Sequence, residues 1–79
     1  MPTLFVHLMN EEPLLIEVEE LPGPQDTLIM GKHPRRRDNK EVHYVLSEVT
    51  TVIFPVSRIQ FIEIMPTGEE EEVFKLFRE

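Results

Sequence analysis

The segment VIFPVSRIQFIEI, residues 52–64, decides the fold that the sequence predicts. Two apolar runs are separated by a short connection, PVSR at 55–58, where proline favours a tight turn. β-branched and aromatic residues dominate both runs, which indicates strands. Both runs are apolar on two faces, although a strand at the edge of a sheet should present one face to water. We therefore expect a second cover here, from another subunit or from the end of the same chain.

Working outward, the rest of the chain completes a pattern of short strands punctuated by turns. The clearest is LLIEVEEL, where apolar and acidic residues alternate as in a half-buried strand. Pro34 is expected to end the third strand, and a break near Ser47 and Glu48 in the fourth is left open. The predicted strands are TLFVHLM (3–9), LLIEVEEL (14–21), DTLIMGK (26–32), EVHYVLSEVTTVIFP (41–55) and IQFIEIM (59–65).

The last segment, TGEEEEVFKLFRE at 67–79, predicts a short α-helix. Thr67 and Glu70 have the spacing of a capping box, and the acidic run lies where the helix dipole favours anions. An apolar stripe follows, formed by Val73, Phe74, Leu76 and Phe77. Because a helix this short is marginal in water, we expect it to dock on the body formed by residues 1–66 or on a neighbouring subunit.

Length and composition favour a single domain that needs support from outside. A chain of 79 residues buries only about 60% of its unfolded surface. The chain has no cysteine, which excludes disulfides and thiolate zinc sites, so oligomerisation remains as the usual support. The N-terminal stretch has neither a basic region nor an uninterrupted apolar run, so we expect no signal peptide and no contact with a membrane. A cytoplasmic protein is the expectation.

Charge is divided unevenly, with a basic loop, HPRRRDNKE at 33–41, in an acidic chain. Residues 32–40 carry a local charge of +4, whereas the whole chain carries −7. One interpretation is contact with the phosphates of RNA. The simpler one is a solvated loop between two strands, because no aromatic residue is interleaved with the arginines to stack on bases. A ring would repeat the loop along one rim, and repetition strengthens weak binding.

Residues that carry chemistry are sparse, so we expect no enzyme, no metal and no cofactor. The histidines His7, His33 and His43 show no ligand spacing, and ordinary surface histidines explain them. The serines lie in no strained nucleophile motif. The three glycines form no phosphate-binding loop.

The order of strands, turns and loops resembles that of the Sm-like (LSm) proteins, a family of small SH3-like barrels. The likeness extends from Leu4 to Met65 and rests on LLIEVEEL, on DTLIM at 26–30 and on VIFPVSRIQFIEI. It implies a mostly β fold with a five-stranded small barrel. The short C-terminal α-helix predicted at 67–79 departs from the family, whose helix normally precedes the barrel. In the family, the fourth strand of one subunit pairs with the fifth strand of the next to build a ring.

The sequence departs from the family at the residues that bind RNA. Asp26 stands where the family has an aspartate, but Met30 occupies the position of the asparagine that would contact the base. Arg58 is the candidate substitute for the arginine of the family's usual Arg-Gly pair, and the glycine is missing. The glycine that bends the family's second strand is also absent from LLIEVEEL. The resemblance therefore supports the fold better than the RNA site.

These observations together predict a non-enzymatic Sm-like barrel that assembles into a homo-oligomeric ring through its fourth and fifth strands. The expected interface residues are Val52, Ile53, Phe54, Phe61, Ile62 and Ile64. An RNA-binding ring is the alternative. Its candidate contacts are Arg35, Arg36, Arg37, Lys40, Asp26 and Arg58.

Overall fold

A computed structural model describes residues 1–66, which form one antiparallel sheet of five strands. The strands are β1 (Thr3–Leu8), β2 (Leu14–Glu17), β3 (Leu28–Arg35), β4 (Thr51–Pro55) and β5 (Ile59–Ile64). Their order across the sheet is β4-β3-β2-β1-β5, and a 3₁₀ turn at Val56–Arg58 joins β4 to β5. The prediction of a mostly β domain with five strands is confirmed. The helix predicted for 67–79 lies outside the described residues.

The core lies on one face of the sheet and is built from the alternating side chains of β1 and β2. Leu4 pairs with Ile16 and Val6 pairs with Leu14, and all four side chains are fully buried. Directly opposed residues of an antiparallel pair point to the same face, so this register stacks the apolar halves of both strands. The complete core cluster is Leu4, Val6, Leu8, Leu14, Ile16, Val18, Ile29 and Val42.

Gly31 brings the backbone of β3 against this core. A Cβ atom at this position would lie 2.5 Å from Cδ1 and 2.7 Å from Cβ of Ile16. No real Cβ approaches other atoms this closely, so only glycine lets β3 pack on β2 at this separation. Gly31 is therefore required by packing.

The third strand is longer than predicted, because a β-bulge carries it past Pro34. Leu15 pairs with Arg35 and Glu17 pairs with Lys32, so β3 contains one residue more than β2 over the same stretch. His33 takes up the extra residue with a φ of 55°. Its backbone N–H donates to the carbonyl of Thr50 at 2.8 Å. A bulge is a position where a sheet tolerates proline, which has no N–H to donate.

The fourth strand begins ten residues later than predicted, because residues 41–50 form turns rather than a strand. The N–H of Val45 donates to the carbonyl of Val42 at 3.1 Å, and the N–H of Val49 donates to that of Leu46 at 3.0 Å. Val42 is buried in the core cluster and Tyr44 packs against it. The β-branched residues of this segment thus cover the core as a loop instead of pairing in a ladder.

Tyr44 anchors this loop and gives the fold a dependence on alkaline pH. Its hydroxyl donates to the backbone carbonyl of Glu12 at 2.5 Å. Burial, followed by the charges of Glu11 and Glu12, raises its pKa from 10.0 to about 12. Because the neutral phenol is favoured in the folded state, its contribution to stability is complete below pH 10 and is lost as the pH rises towards 12.

We expect Tyr44→Phe to flatten the decline in the free energy of unfolding between about pH 10 and pH 12. Lysines also titrate in this range, so the comparison is between the variant and the wild type at each pH. The chain has one tyrosine and no tryptophan, so ultraviolet absorbance reports the ionisation of Tyr44 alone. A midpoint near that of free tyrosine would contradict the prediction.

Both lateral edges of the sheet, β4 and β5, are open. Within residues 1–66 no strand pairs with the outer edge of β4 or of β5. The two outer strands are therefore the positions where the backbone N–H and C=O groups of this sheet are unpaired.

The same part of the chain contains no helix long and apolar enough to cross a membrane.

Candidate functional site

Three of the six predicted interface residues pack on the core of their own chain. Val52 and Phe54 on β4 and Ile62 on β5 are half-buried against the core cluster. Val52 lies opposite Gly31 and Phe54 opposite Ile29, on the inner face of the sheet. These three side chains therefore stabilise the fold of their own chain.

The other three predicted interface residues are exposed. Ile53 is 58% exposed on β4, and Phe61 and Ile64 are 53% and 57% exposed on β5. Large apolar side chains at the edges of an open sheet are typical of surfaces that associate. Each outer strand thus presents apolar side chains to solvent.

An apolar strip extends inward from the edge of β4 on the outer face of the sheet. Ile53 lies opposite Met30, and Pro55 lies opposite Leu28. Met30 and Leu28 are both exposed. Since alternate residues of a strand share a face, these four side chains form one surface.

On the β5 side, an aromatic row formed by Phe5, His7 and Phe61 crosses from β1 to β5. The ring of Phe61 stacks on that of His7, with centroids 4.0 Å apart and planes 14° apart. The ring of Phe5 meets His7 edge-on at 4.8 Å. His7 Nε2 lies 2.7 Å from Oε1 of Glu63, which fixes the imidazole. Sequence reasoning missed this row because its members come from strands more than fifty residues apart.

The basic loop is a closed turn after β3. The N–H of Arg36 donates to the carbonyl of Lys40 at 2.8 Å, and the N–H of Asn39 donates to that of Arg36 at 2.9 Å. Asn39 adopts a left-handed φ of 69°, which asparagine tolerates better than most residues. Asp38 Oδ1 accepts from the N–H of Lys40 at 3.1 Å. The loop therefore has a defined shape that holds its arginines at the turn.

Acidic partners neutralise part of the charge of this loop. Arg35 Nη1 lies 3.4 Å from Oε2 of Glu17 and also donates to the carbonyl of His33. Arg36 Nη2 lies 3.3 Å from Oδ2 of Asp38. The Arg36–Asp38 pair is exposed and weak, so it can exchange for other anions, whereas the Arg35–Glu17 pair is half-buried. Among residues 1–66, neither Arg37 nor Lys40 has an acidic side chain within ion-pair distance.

Phe5 supplies an aromatic ring beside the arginines that the linear sequence did not show. Together with Pro13, it lines an open depression of about 360 Å³ that Arg36 and Arg37 also border. The pairing of Phe5 with Leu15, and of Leu15 with the start of the loop, brings these distant residues together. Glu12 and Asp38 also border the depression, so its charge is mixed.

The remaining candidate RNA contacts, Asp26 and Arg58, belong to other connections. Asp26 Oδ2 accepts from the N–H of Gly23 at 2.9 Å, within the loop that precedes β3. Arg58 lies on the 3₁₀ turn between β4 and β5, and its carbonyl accepts from the N–H of Met9 at 2.9 Å. Asp26 is therefore already used by its own turn.

The histidines each lie beside glutamate. His33 Nδ1 is 3.5 Å from Oε2 of Glu17, and His43 Nδ1 is 3.4 Å from Oε1 of Glu12. Over residues 1–66, no group of three or more histidine and acidic side chains is arranged to hold a metal ion. The candidate interaction surfaces of this part of the chain are the apolar edges and the partly neutralised basic loop.

Searches of protein-family models, curated proteins and solved structures found no match to this chain. The resemblance to the Sm-like proteins therefore stays a sequence-based prediction.

Proposed function

We propose that this protein is a structural or interaction protein that self-associates into a homo-oligomeric ring of Sm-like barrels, in which β4 of one subunit pairs with β5 of the next. The observation that carries this proposal is the open sheet with exposed Ile53 on one edge and exposed Phe61 on the other. We assign the assembly no catalytic activity.

Two physical reasons support pairing between β4 and β5. An outer strand leaves N–H and C=O groups without partners, and a strand from a second molecule satisfies them. The exposed side chains of Ile53 and Phe61 leave water at the same time, which favours association. A pair of unlike edges is heterologous, so successive subunits close into a ring when the rotation between them permits.

Light scattering after size exclusion tests the proposal at micromolar concentration. We expect a particle several times the 9.3 kDa mass of one chain. A single species of 9.3 kDa would overturn the assembly. The choice of edges is tested separately with the variants of Ile53 and Phe61 in the Discussion.

A second candidate function is binding of single-stranded RNA at the basic loop. The observation that favours it is the position of Phe5 beside Arg36 and Arg37. Arginine contacts phosphates, and an aromatic ring stacks on a base, which together are the usual elements of a single-strand site. The acidic neighbours Glu12 and Asp38 oppose it, so any binding should depend strongly on salt.

Titration of labelled oligo-U and oligo-A at low and physiological salt tests this candidate. We expect Arg36→Ala/Arg37→Ala to weaken binding and to reduce the salt slope by roughly 0.7 for each phosphate that is no longer neutralised. Phe5→Ala should weaken binding while leaving the slope unchanged. Arg58→Ala, on a different connection, compares the loop with an arginine elsewhere. Absence of binding at low salt, or an equal weakening by Arg58→Ala, would remove the candidate.

A further inference from the structure

An apolar groove lies at the end of β5, where the described part of the chain stops. Its volume is about 580 Å³. Its lining includes Met1, Leu15, Leu21, Ile64, Met65 and Pro66. Ile64 is 57% exposed and Leu21 is half exposed, so the groove presents apolar side chains to solvent. A surface of this kind is expected to be covered.

The chain leaves β5 at the edge of this groove, so its own C-terminal segment is the nearest candidate to fill the groove. Pro66 lines the groove, and the N–H of Met65 donates to the carbonyl of Thr3 at 2.9 Å, which fixes the direction in which the chain leaves β5. Thirteen residues follow, at 67–79. As a helix they would extend for about 20 Å, and longer if extended, so no neighbouring molecule is needed to reach the groove.

We propose that residues 67–79 pack into this groove in the same chain, through the apolar stripe that contains Phe74 and Phe77. The packing covers Ile64 and leaves Ile53 and Phe61 for neighbouring subunits. This proposal is separate from self-assembly, because the packing takes place within a single chain.

Tryptophan fluorescence in the full chain tests the packing. Phe77→Trp introduces the only tryptophan of the protein. We expect a blue-shifted emission maximum and a several-fold lower quenching by acrylamide than for free indole. Adding Ile64→Glu should shift the emission to the red and restore quenching, and Leu21→Glu should do the same. Leu46→Glu, at a position that is 71% exposed and outside the groove, is the matched control and should change neither signal.

Two outcomes would overturn the proposal. A solvent-exposed tryptophan in Phe77→Trp means that the segment does not pack. A blue-shifted emission that disappears on dilution means that the segment packs on a second copy. Circular dichroism of each variant confirms that the sheet is intact, and because Leu21 lies in a loop, Leu21→Glu remains informative if Ile64→Glu unfolds the chain. Assembly measured by light scattering reports separately on β4 and β5.

Discussion

Gly31→Ala is expected to lower the free energy of unfolding by about 1–2 kcal/mol, and Gly31→Val by more. Two effects oppose each other. Alanine restricts the unfolded chain, which stabilises by about 0.4–1 kcal/mol, whereas overpacking a core costs about 1–3 kcal/mol. Cδ1 of Ile16 can rotate away from the new methyl group, but Cβ of Ile16, 2.7 Å away, is fixed to the backbone of β2. The strain therefore exceeds the entropic gain.

Urea and thermal unfolding measure this effect, and Gly23→Ala is the matched control. A Cβ at Gly23 meets no atom within 4 Å, and its φ is not in the left-handed region. The control should be neutral or slightly stabilising. A decrease of about 1 kcal/mol corresponds to a fall in Tm of about 4–8 °C in a domain of this size. Equal stabilities for the two variants would show that β3 does not approach Ile16 as closely as described.

Ile53→Glu and Phe61→Glu are each expected to abolish ring assembly when purified alone. Each places a charge on one of the two outer strands, where pairing would take that charge out of water. Ile53 and Phe61 are both more than half exposed, so the fold of the single chain should tolerate either change. Leu46→Glu, also exposed, adds the same charge away from both edges and should leave the particle size unchanged.

Mixing the two variants distinguishes unlike from like edges. If β4 pairs with β5, the intact β5 of Ile53→Glu can meet the intact β4 of Phe61→Glu. An equimolar mixture should then give a heterodimer of twice 9.3 kDa and nothing larger, measured by light scattering. If β4 instead paired with β4, Phe61→Glu alone would form a dimer and mixing would add nothing. That result would overturn the proposed mode of pairing.

The strands that the sequence predicts best are those whose environment is set by alternation. In LLIEVEEL the apolar residues Leu14, Ile16 and Val18 all reach the core, as the pattern indicates, although β2 ends at Glu17, four residues earlier than predicted. The segment 41–50 misled because β-branched residues mark burial as well as strands. Val42 is buried from a turn, so tertiary packing overrides its local preference.

The candidate surfaces were predictable in part. The sequence identifies β4 and β5 as apolar on two faces, but the register decides which side chains face outward. Val52 and Phe54 lie opposite the core-facing residues of β3, which leaves Ile53 for the outer surface. The position of Phe5 beside Arg36 depends on pairings across three strands, and no local pattern carries that information.

The bulge at His33 has a consequence for the side chains that follow it. Up to Gly31, the odd-numbered positions of β3 face the core, and strict alternation would send Arg35 there as well. The extra residue reverses the phase of the strand, so Arg35 lies opposite Leu15 and reaches Glu17. Without the bulge, the same sequence would direct the guanidinium of Arg35 into the apolar interior. The orientation of the basic loop therefore depends on the left-handed backbone conformation of His33.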